Sequence, residues 1–249
     1  MFVAASSECF PNLSLDGVLQ RLVDLEYTGV EIALHENGGQ LKPSEVLADV
    51  EAAIAACRET YRLTIASYSV DITATGNLYY EQFAACCRLA KATKVVAITV
   101  PAAELGTPFN AEIERLQQLV AIASREGALV GVKTETGRIT QDPDTAVVLC
   151  DNVKGLGITL DPSHYIYGPH AGGNYDQVMS HVYNIHLRDT SKDKLQVRVG
   201  QGQIEYGRLI TQLAKVHYNR ALVVHIAEME DVDHAAEMRK MRLLLESLL

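Results

Sequence analysis

The sequence has few positive charges and no clusters of them. Its 249 residues carry 22 Lys and Arg against 31 Asp and Glu, which gives a formal net charge of -9. A phosphate backbone would have to approach this chain against a repulsive background. We therefore expect no nucleic-acid partner.

Long apolar runs are also missing, and the first residues lack a basic region followed by an apolar stretch. A membrane-spanning helix needs about 18 or more apolar residues, and a secretory leader needs both of those regions. These absences predict a cytoplasmic protein without membrane contact. The five cysteines show no C-x-x-C or similar ligand spacing, so we expect them to be reduced, small and mostly buried.

A glycine-rich turn after the first β-like run is absent as well, because residues 6–10 read Ser-Ser-Glu-Cys-Phe. No dinucleotide or P-loop fingerprint occurs elsewhere, which argues against an open doubly wound sheet. The 48% hydrophobic content is enough for one large core, and we find no linker or low-complexity segment. One domain spanning residues 1–249 is therefore expected.

The sequence does contain a regular alternation of short β-branched runs and longer segments of helical period, which is typical of βαβ units. Eight strands are predicted, at Phe2 to Ser6, Gly29 to His35, Leu63 to Val70, Lys94 to Val100, Ala128 to Glu135, Gly157 to Asp161, Val182 to Leu187 and Ala221 to Ile226. Helices are predicted between them at Leu15 to Glu26, Pro43 to Tyr61, Tyr80 to Ala92 and Asn110 to Glu126, and after the last strand at Asp233 to Leu249. Eight such units in a chain of this length predict an α/β fold with a single (β/α)8 TIM barrel.

Polar residues gather at the predicted carboxyl ends of the strands, where such barrels place their reacting groups. The candidates are His35, Lys133, Glu135, Asp161, His164, His186, Arg188 and His225. Each one alone also has an ordinary interpretation, such as a hydrogen-bonded histidine or an Asp161 that caps the next helix. Their joint occurrence at the ends of several strands favours a functional site, and a lysine such as Lys133 is rarely buried without a partner.

Three stretches carry a family resemblance: DPSH at 161–164, NIHLRD at 184–189 and VGQGQIE at 199–205. In this order they resemble the D-x-x-H, H-x-[KR]-D and G-x-G-x-[IV]-[DE] elements of the xylose isomerase-like barrel superfamily. That superfamily includes sugar and keto-sugar epimerases and endonuclease IV. The resemblance implies a divalent ion held by a Glu of strand five, an Asp of strand six, a His of strand seven and a Glu of strand eight.

Asp161 and His186 match that ligand set, but Lys133 and His225 stand where the two Glu residues belong. An ammonium repels a cation and offers no lone pair. Two arrangements stay open. One is a shifted site of Asp161, His186 and His225 that takes Mn, Zn, Co, Fe or Mg, with Glu135 as a fourth ligand. The other has no metal, and Lys133 supplies the positive charge.

The resemblance further implies proton transfer next to a carbonyl, through an enediolate, on a small keto-sugar or polyol. Lys133, Glu135 and His164 are the expected catalytic residues. Glu135 would act as the base, and His164 would bind substrate or carry a proton. Lys133 would stabilise an oxyanion or form a Schiff base.

Arg188 and His35 are the expected substrate-binding residues. Arg188 suits a carboxylate or phosphate group, or instead pairs with Asp189 or another acidic neighbour. Residues 199–205 either form a glycine-permitted turn over the site or an ordinary tight turn, and residues 172–174 are either a cover or a connector.

The alternative to an isomerase or epimerase is a barrel that has lost the ancestral metal chemistry. Such a barrel would serve as a binding protein or as a lyase or aldolase-like enzyme that uses Lys133. Phosphodiester hydrolysis is disfavoured because it needs further His ligands and a basic surface. The expected partner is a small molecule, and the resemblance allows a homo-oligomer.

Overall fold

The chain forms a closed barrel of eight parallel strands in the order β1 to β8, seen in a computed structural model that describes residues 1–169, 172 and 174–249. The strands are β1 Phe2–Ser6, β2 Gly29–His35, β3 Thr64–Asp71, β4 Ala97–Val100, β5 Leu129–Lys133, β6 Leu156–Leu160, β7 Val182–Leu187 and β8 Ala221–Val224. The predicted (β/α)8 barrel is confirmed. Gly173 of the predicted cover lies outside the described residues.

Helices follow the strands and form the outer ring. They are α1 Leu15–Asp24, α2 Pro43–Ala48, α3 Val50–Arg58, α4 Asn77–Ala92, α5 Phe109–Arg125, α6 Pro143–Asn152, α7 Ser163–Ile166, α8 Tyr206–Lys215 and α9 His234–Glu246. Short 3₁₀ turns lie at Ser7–Cys9, Ile139–Gln141 and Asp176–His181.

The prediction of a single helix from Pro43 to Tyr61 is wrong, because the helix is interrupted at Asp49. This residue has φ -149 and ψ 88, and its carboxylate accepts the N–H of Ala52, which starts α3 as a new helix. An aspartate is a favoured residue at a helix start, since it satisfies one of the free N–H groups there.

Several strands are shorter at one end than the sequence predicts. β4 begins at Ala97 rather than Lys94, whose φ of 61 is incompatible with a strand. β5 ends at Lys133 and β8 ends at Val224, so Glu135 and His225 lie on the loops that follow. The His225 N–H still bonds the Leu187 carbonyl at 2.9 Å, which keeps the histidine at the mouth.

A polar layer fills the barrel interior below the mouth. The fully buried Glu31 of β2 accepts hydrogen bonds from Ser67 Oγ of β3 at 2.6 Å and from Asn184 Nδ2 of β7 at 2.7 Å. Asn184 also reaches Thr99 Oγ1 of β4 at 3.2 Å. Because a buried charge is tolerated only with such partners, these contacts fix how four strands meet across the barrel.

All five cysteines are free and buried, as expected. No helix within the described part of the chain is long and apolar enough to cross a membrane.

Candidate active site

A carboxylate that the sequence reasoning missed lies at the centre of the barrel mouth. Glu8 sits in the 3₁₀ turn after β1, where its Oε2 accepts a hydrogen bond from Nε2 of His225 at 3.1 Å. Its Oε1 lies 3.4 Å from Nδ1 of His35. Burial by itself raises the pKa of Glu8, but the bond from His225 and the charges of the histidines and Lys133 hold that pKa far below its usual value. Glu8 is therefore an ionised bridge between two predicted site histidines.

Arg188 connects two other predicted residues. Its Nη2 donates to Oδ2 of Asp161 at 2.8 Å and to Nδ1 of His225 at 2.5 Å. Because a guanidinium only donates, the ring of His225 carries its proton on Nε2, which faces Glu8. Burial, with the charge of Arg188 adding to it, lowers the pKa of His225 to about 4. The ring is thus neutral at pH 7.

Asp161 follows β6 and is fully buried. Its Oδ1 accepts the N–H of Ser163 at 3.1 Å and a short hydrogen bond from the Ser163 hydroxyl. Burial alone raises the pKa of Asp161, yet the charge of Arg188 and these donors hold it well below the usual range. Arg188 forms an ion pair with Asp161 rather than with the adjacent Asp189, and its expected role in substrate binding stays a prediction.

His164 lies behind Asp161 and is 5% exposed. Its Nδ1 accepts the N–H of Thr136 at 3.1 Å, so the neutral ring carries its proton on Nε2, 3.7 Å from Oδ2 of Asp161. Burial lowers the pKa of His164. Its proposed role in carrying a proton stays a prediction.

His186 lies inside the barrel, where its ring is directed at Glu31. Its Nε2 lies 2.7 Å from Oε1 of Glu31, although the two atoms are not aligned as a hydrogen bond, and Nδ1 has no hydrogen-bond partner among the described residues. Burial raises the pKa of Glu31, but the charge of the nearby His186, the hydrogen bond from Ser67 and other neighbouring groups together lower that pKa to about 2. The ring of His186 stacks on that of His225 at a centroid distance of 4.8 Å.

Two of the cavities that described residues line open at the mouth. One, of about 190 Å³, is lined by Lys133, Glu135, Asp71 and Arg138 together with smaller residues. The other, of about 310 Å³, is lined by Arg188, His225 and a largely apolar wall. Glu8 and His35 line both cavities. The structure therefore brings the predicted Lys133, Glu135 and His35 to one space, and Arg188 and His225 to the space beside it.

The loop at 199–205 is held in place by Asp189, whose Oδ2 accepts the N–H groups of Gly200 at 2.7 Å and Gly202 at 3.0 Å. A Cβ at residue 202 would lie 1.9 Å from Oδ1 of Asp189 and 2.6 Å from the Thr190 carbonyl oxygen, so only glycine fits there. The loop lines neither mouth cavity, which favours the ordinary tight turn.

The donor set does not fit a divalent ion in this arrangement. Nη2 of Arg188 lies within hydrogen-bond distance of both Asp161 and His225, in the place that an ion shared by them would need, and His186 is directed at Glu31. A guanidinium there repels a cation. Within residues 1–169, 172 and 174–249, no group of three or more His, Cys, Asp or Glu side chains is placed to hold a metal.

Comparisons with known proteins extend the resemblance. The family model described as "Xylose isomerase-like TIM barrel" matches residues 19–247. No curated protein sequence matches the chain.

Three similar solved structures cover nearly the whole chain. The 3-keto-D-glucoside 4-epimerase of E. coli is 15% identical, covers 99% of each chain and has a TM-score of 0.74. The D-allulose 3-epimerase of Methylomonas sp. is 11% identical, with 100% of this chain and 98% of that chain covered and a TM-score of 0.76. The IolI protein, in a structure with a bound zinc atom, is 15% identical with the same coverage and a TM-score of 0.74. At these identities the likeness shows the fold.

Proposed function

Because the chain belongs to the xylose isomerase-like TIM barrel family, we propose that it is an isomerase or epimerase that moves a proton next to the carbonyl of a small keto-sugar or polyol. The observation that supports this best is the cavity of about 190 Å³, which is lined by both Lys133 and Glu135 at and after the carboxyl end of β5. Two proteins of similar structure are described as sugar epimerases, which agrees with this chemistry.

The reaction needs a base and a cation near the same carbonyl. The Glu135 carboxylate takes the proton from the carbon next to the carbonyl, and the electron pair of that C–H bond moves towards the carbonyl oxygen to give an enediolate. The Lys133 ammonium stabilises the negative charge that develops on this oxygen. Protonation of the same carbon from the opposite face by a water molecule, with the Glu135 proton released to solvent, gives an epimer. Return of the proton from Glu135 to the former carbonyl carbon, with transfer of the neighbouring hydroxyl proton to the former carbonyl oxygen, gives an isomer.

The other charged residues position rather than react. The pKa of Glu8 lies far below its usual value, so this carboxylate is a poor proton carrier, and its contacts hold His35 and His225 in place. The charge of Arg188 is compensated by Asp161, and Arg138, the other cation that lines the smaller cavity, has its Nη1 3.5 Å from Oε1 of Glu104. Lys133 is therefore the cation available to the carbonyl, and the proposal assigns the charge that a divalent ion supplies in metal-dependent relatives to this lysine.

Deuterium exchange tests the proposal. Protein incubated in deuterated water with a panel of keto-sugars is expected to replace the C–H next to the carbonyl in at least one of them, followed by proton NMR. Lys133→Met should lower the exchange rate by about 10²- to 10³-fold and Glu135→Gln by about 10²- to 10⁴-fold. The exposed Lys154→Met and Glu114→Gln serve as matched controls and should leave the rate unchanged.

Two results would contradict the proposal. One is the absence of exchange in every keto-sugar, and the other is an equal effect of the site variants and their controls. A carbonyl adduct that borohydride traps on Lys133 would favour the lyase or aldolase-like alternative instead.

A further inference from the structure

The two mouth cavities differ sharply in chemistry although they adjoin. Besides Glu8, four charged side chains line the cavity of about 190 Å³, on strands and loops from β3 to β5: Asp71, Lys133, Glu135 and Arg138. The cavity of about 310 Å³ lies between the ends of β1, β2 and β8, and its wall is mainly apolar: Pro11, Ala33, Leu41, Ile226 and Ala227. A keto-sugar carries hydroxyl groups on every side, so the binding of a keto-sugar alone does not account for the larger, apolar cavity.

The charged groups that line the larger cavity are already paired, and the two lining atoms without a hydrogen-bond partner among the described residues, Oε1 of Gln40 and Nε of Arg188, are buried and expose almost no surface to it. Arg188 bonds Asp161 and His225, and His225 in turn bonds Glu8. An apolar group that enters this space therefore breaks no hydrogen bond, whereas a sugar ring would leave its own hydroxyl groups without partners on the apolar wall.

The cavities share two residues, Glu8 and His35, which line both of them. A molecule that reaches Lys133 with its carbonyl can therefore extend past these residues into the apolar space. Ligand sites are usually lined mainly by apolar side chains, with a few polar groups that fix orientation, and span about 300 to 1,000 Å³. The two cavities taken together have this character, and the polar one alone does not.

We infer that the substrate is a polyhydroxylated carbonyl compound that carries an apolar substituent, which the space between β1, β2 and β8 binds. This inference rests on the proposed function, since it takes the cavity at Lys133 as the place of the carbonyl. It adds the class of substrate: a sugar-like compound bearing an alkyl or aryl group rather than a free monosaccharide.

The test uses n-alkyl β-D-glucopyranosides from methyl to hexyl as probes, with affinities measured by calorimetry below their aggregation concentrations. Each added methylene that enters the apolar space is expected to strengthen binding by about two- to four-fold. Ala227→Asp places a carboxylate on the exposed rim of that space and should abolish the increase in affinity with alkyl chain length. Leu41→Asn, from the opposite wall, should do the same.

The matched controls lie on the outer helices. Ala121→Asp changes an exposed alanine of α5, and Leu243→Asn changes a leucine of α9 that is 57% exposed. Both should keep the dependence of affinity on chain length. A flat series or no binding in the wild-type protein, or a slope that survives Ala227→Asp and Leu41→Asn, overturns the inference.

Failure of this inference and failure of the proposed function give different results. A flat series together with deuterium exchange in a keto-sugar overturns the apolar subsite alone. A graded series without exchange in any keto-sugar, whether free or carrying an alkyl substituent, overturns the proposed proton transfer and leaves an apolar binding site.

Discussion

Replacement of Arg188 by methionine is expected to destabilise the protein strongly, because it leaves the carboxylate of Asp161 buried without its charged partner. Asp161 is 0% exposed and Arg188 is 8% exposed, so little solvent can compensate. Breaking a buried ion pair from one side costs about 3 to 5 kcal/mol. Asp161 keeps its two donors from Ser163, so we expect a loss near the lower end, about 3 kcal/mol.

Thermal and urea unfolding at pH 7 measure this loss. For a domain of this size each kcal/mol lowers the Tm by about 2 to 4 °C, so Arg188→Met should unfold about 6 to 12 °C below the wild type. The double variant Arg188→Met with Asp161→Asn removes the stranded charge and should be more stable than the single variant. Arg188→Lys keeps the charge but not the planar fork that reaches both Asp161 and His225, so its loss should be intermediate.

The pH dependence gives an independent check. The folded-state pKa of Asp161 is lowered, so the pair with Arg188 contributes stability above the pKa of the unfolded carboxyl and loses it as pH falls. The difference between wild type and Arg188→Met should therefore be smaller at pH 4 than at pH 7. A loss below about 1 kcal/mol at pH 7, or a double variant less stable than Arg188→Met, would refute the buried pair.

Two further predictions concern His225 and the loop at 199–205. NMR titration should show His225 neutral, with its proton on Nε2, down to a midpoint at about pH 4. Between about pH 6.5 and pH 4 the histidine binds a proton in the unfolded chain but not in the folded one, so the free energy of unfolding should fall as the pH is lowered through this range. A midpoint near 6.5 would contradict the contact with Arg188. Gly202→Ala should lower the free energy of unfolding, measured with urea, by about 1 to 3 kcal/mol, because the added Cβ meets Asp189. Gly207→Ala in α8 is the control: a Cβ there meets nothing within 4 Å, so the variant should be neutral or more stable by about 0.5 to 1 kcal/mol. Equal effects of the two variants would count against the contact with Asp189.

The fold could be predicted because its signal repeats along the chain. Strands such as Gly29–His35 and Val182–Leu187 are short β-branched runs between helical segments, and their bounds were predicted as the structure has them. The break at Asp49 could not be predicted from apolar period, since one residue interrupts the helix without changing the spacing of its buried side chains. Local capping decided that boundary.

The site could be predicted in part for a similar reason. A barrel brings the carboxyl ends of its strands together, so the rule that selected Lys133 and Glu135 needs no knowledge of contacts. The same rule covers Glu8 after β1, which was overlooked because it belongs to no family-like element. A fully buried carboxylate such as Glu31 has a weaker signal: a lone charge within an apolar strand, of the kind that drew attention to Lys133.

Which charges pair with which could not be read from the sequence. Arg188 pairs with Asp161, 27 positions away, although Asp189 is its neighbour in the chain. Glu31 bonds Asn184 over 153 positions. These choices depend on how the strands face each other across the barrel, and they decide that Arg188 lies where a shared metal ion would have to be.

The proposal that this site moves a proton with the chain's own cations is tested most directly by deuterium exchange into a keto-sugar before and after dialysis of the protein against a chelator. The metal content of each sample is measured alongside. We expect the exchange rate to be unchanged and divalent metal to be well below one ion per chain in both samples. Exchange that disappears on dialysis and returns with Mn²⁺, Co²⁺ or Zn²⁺ would contradict it.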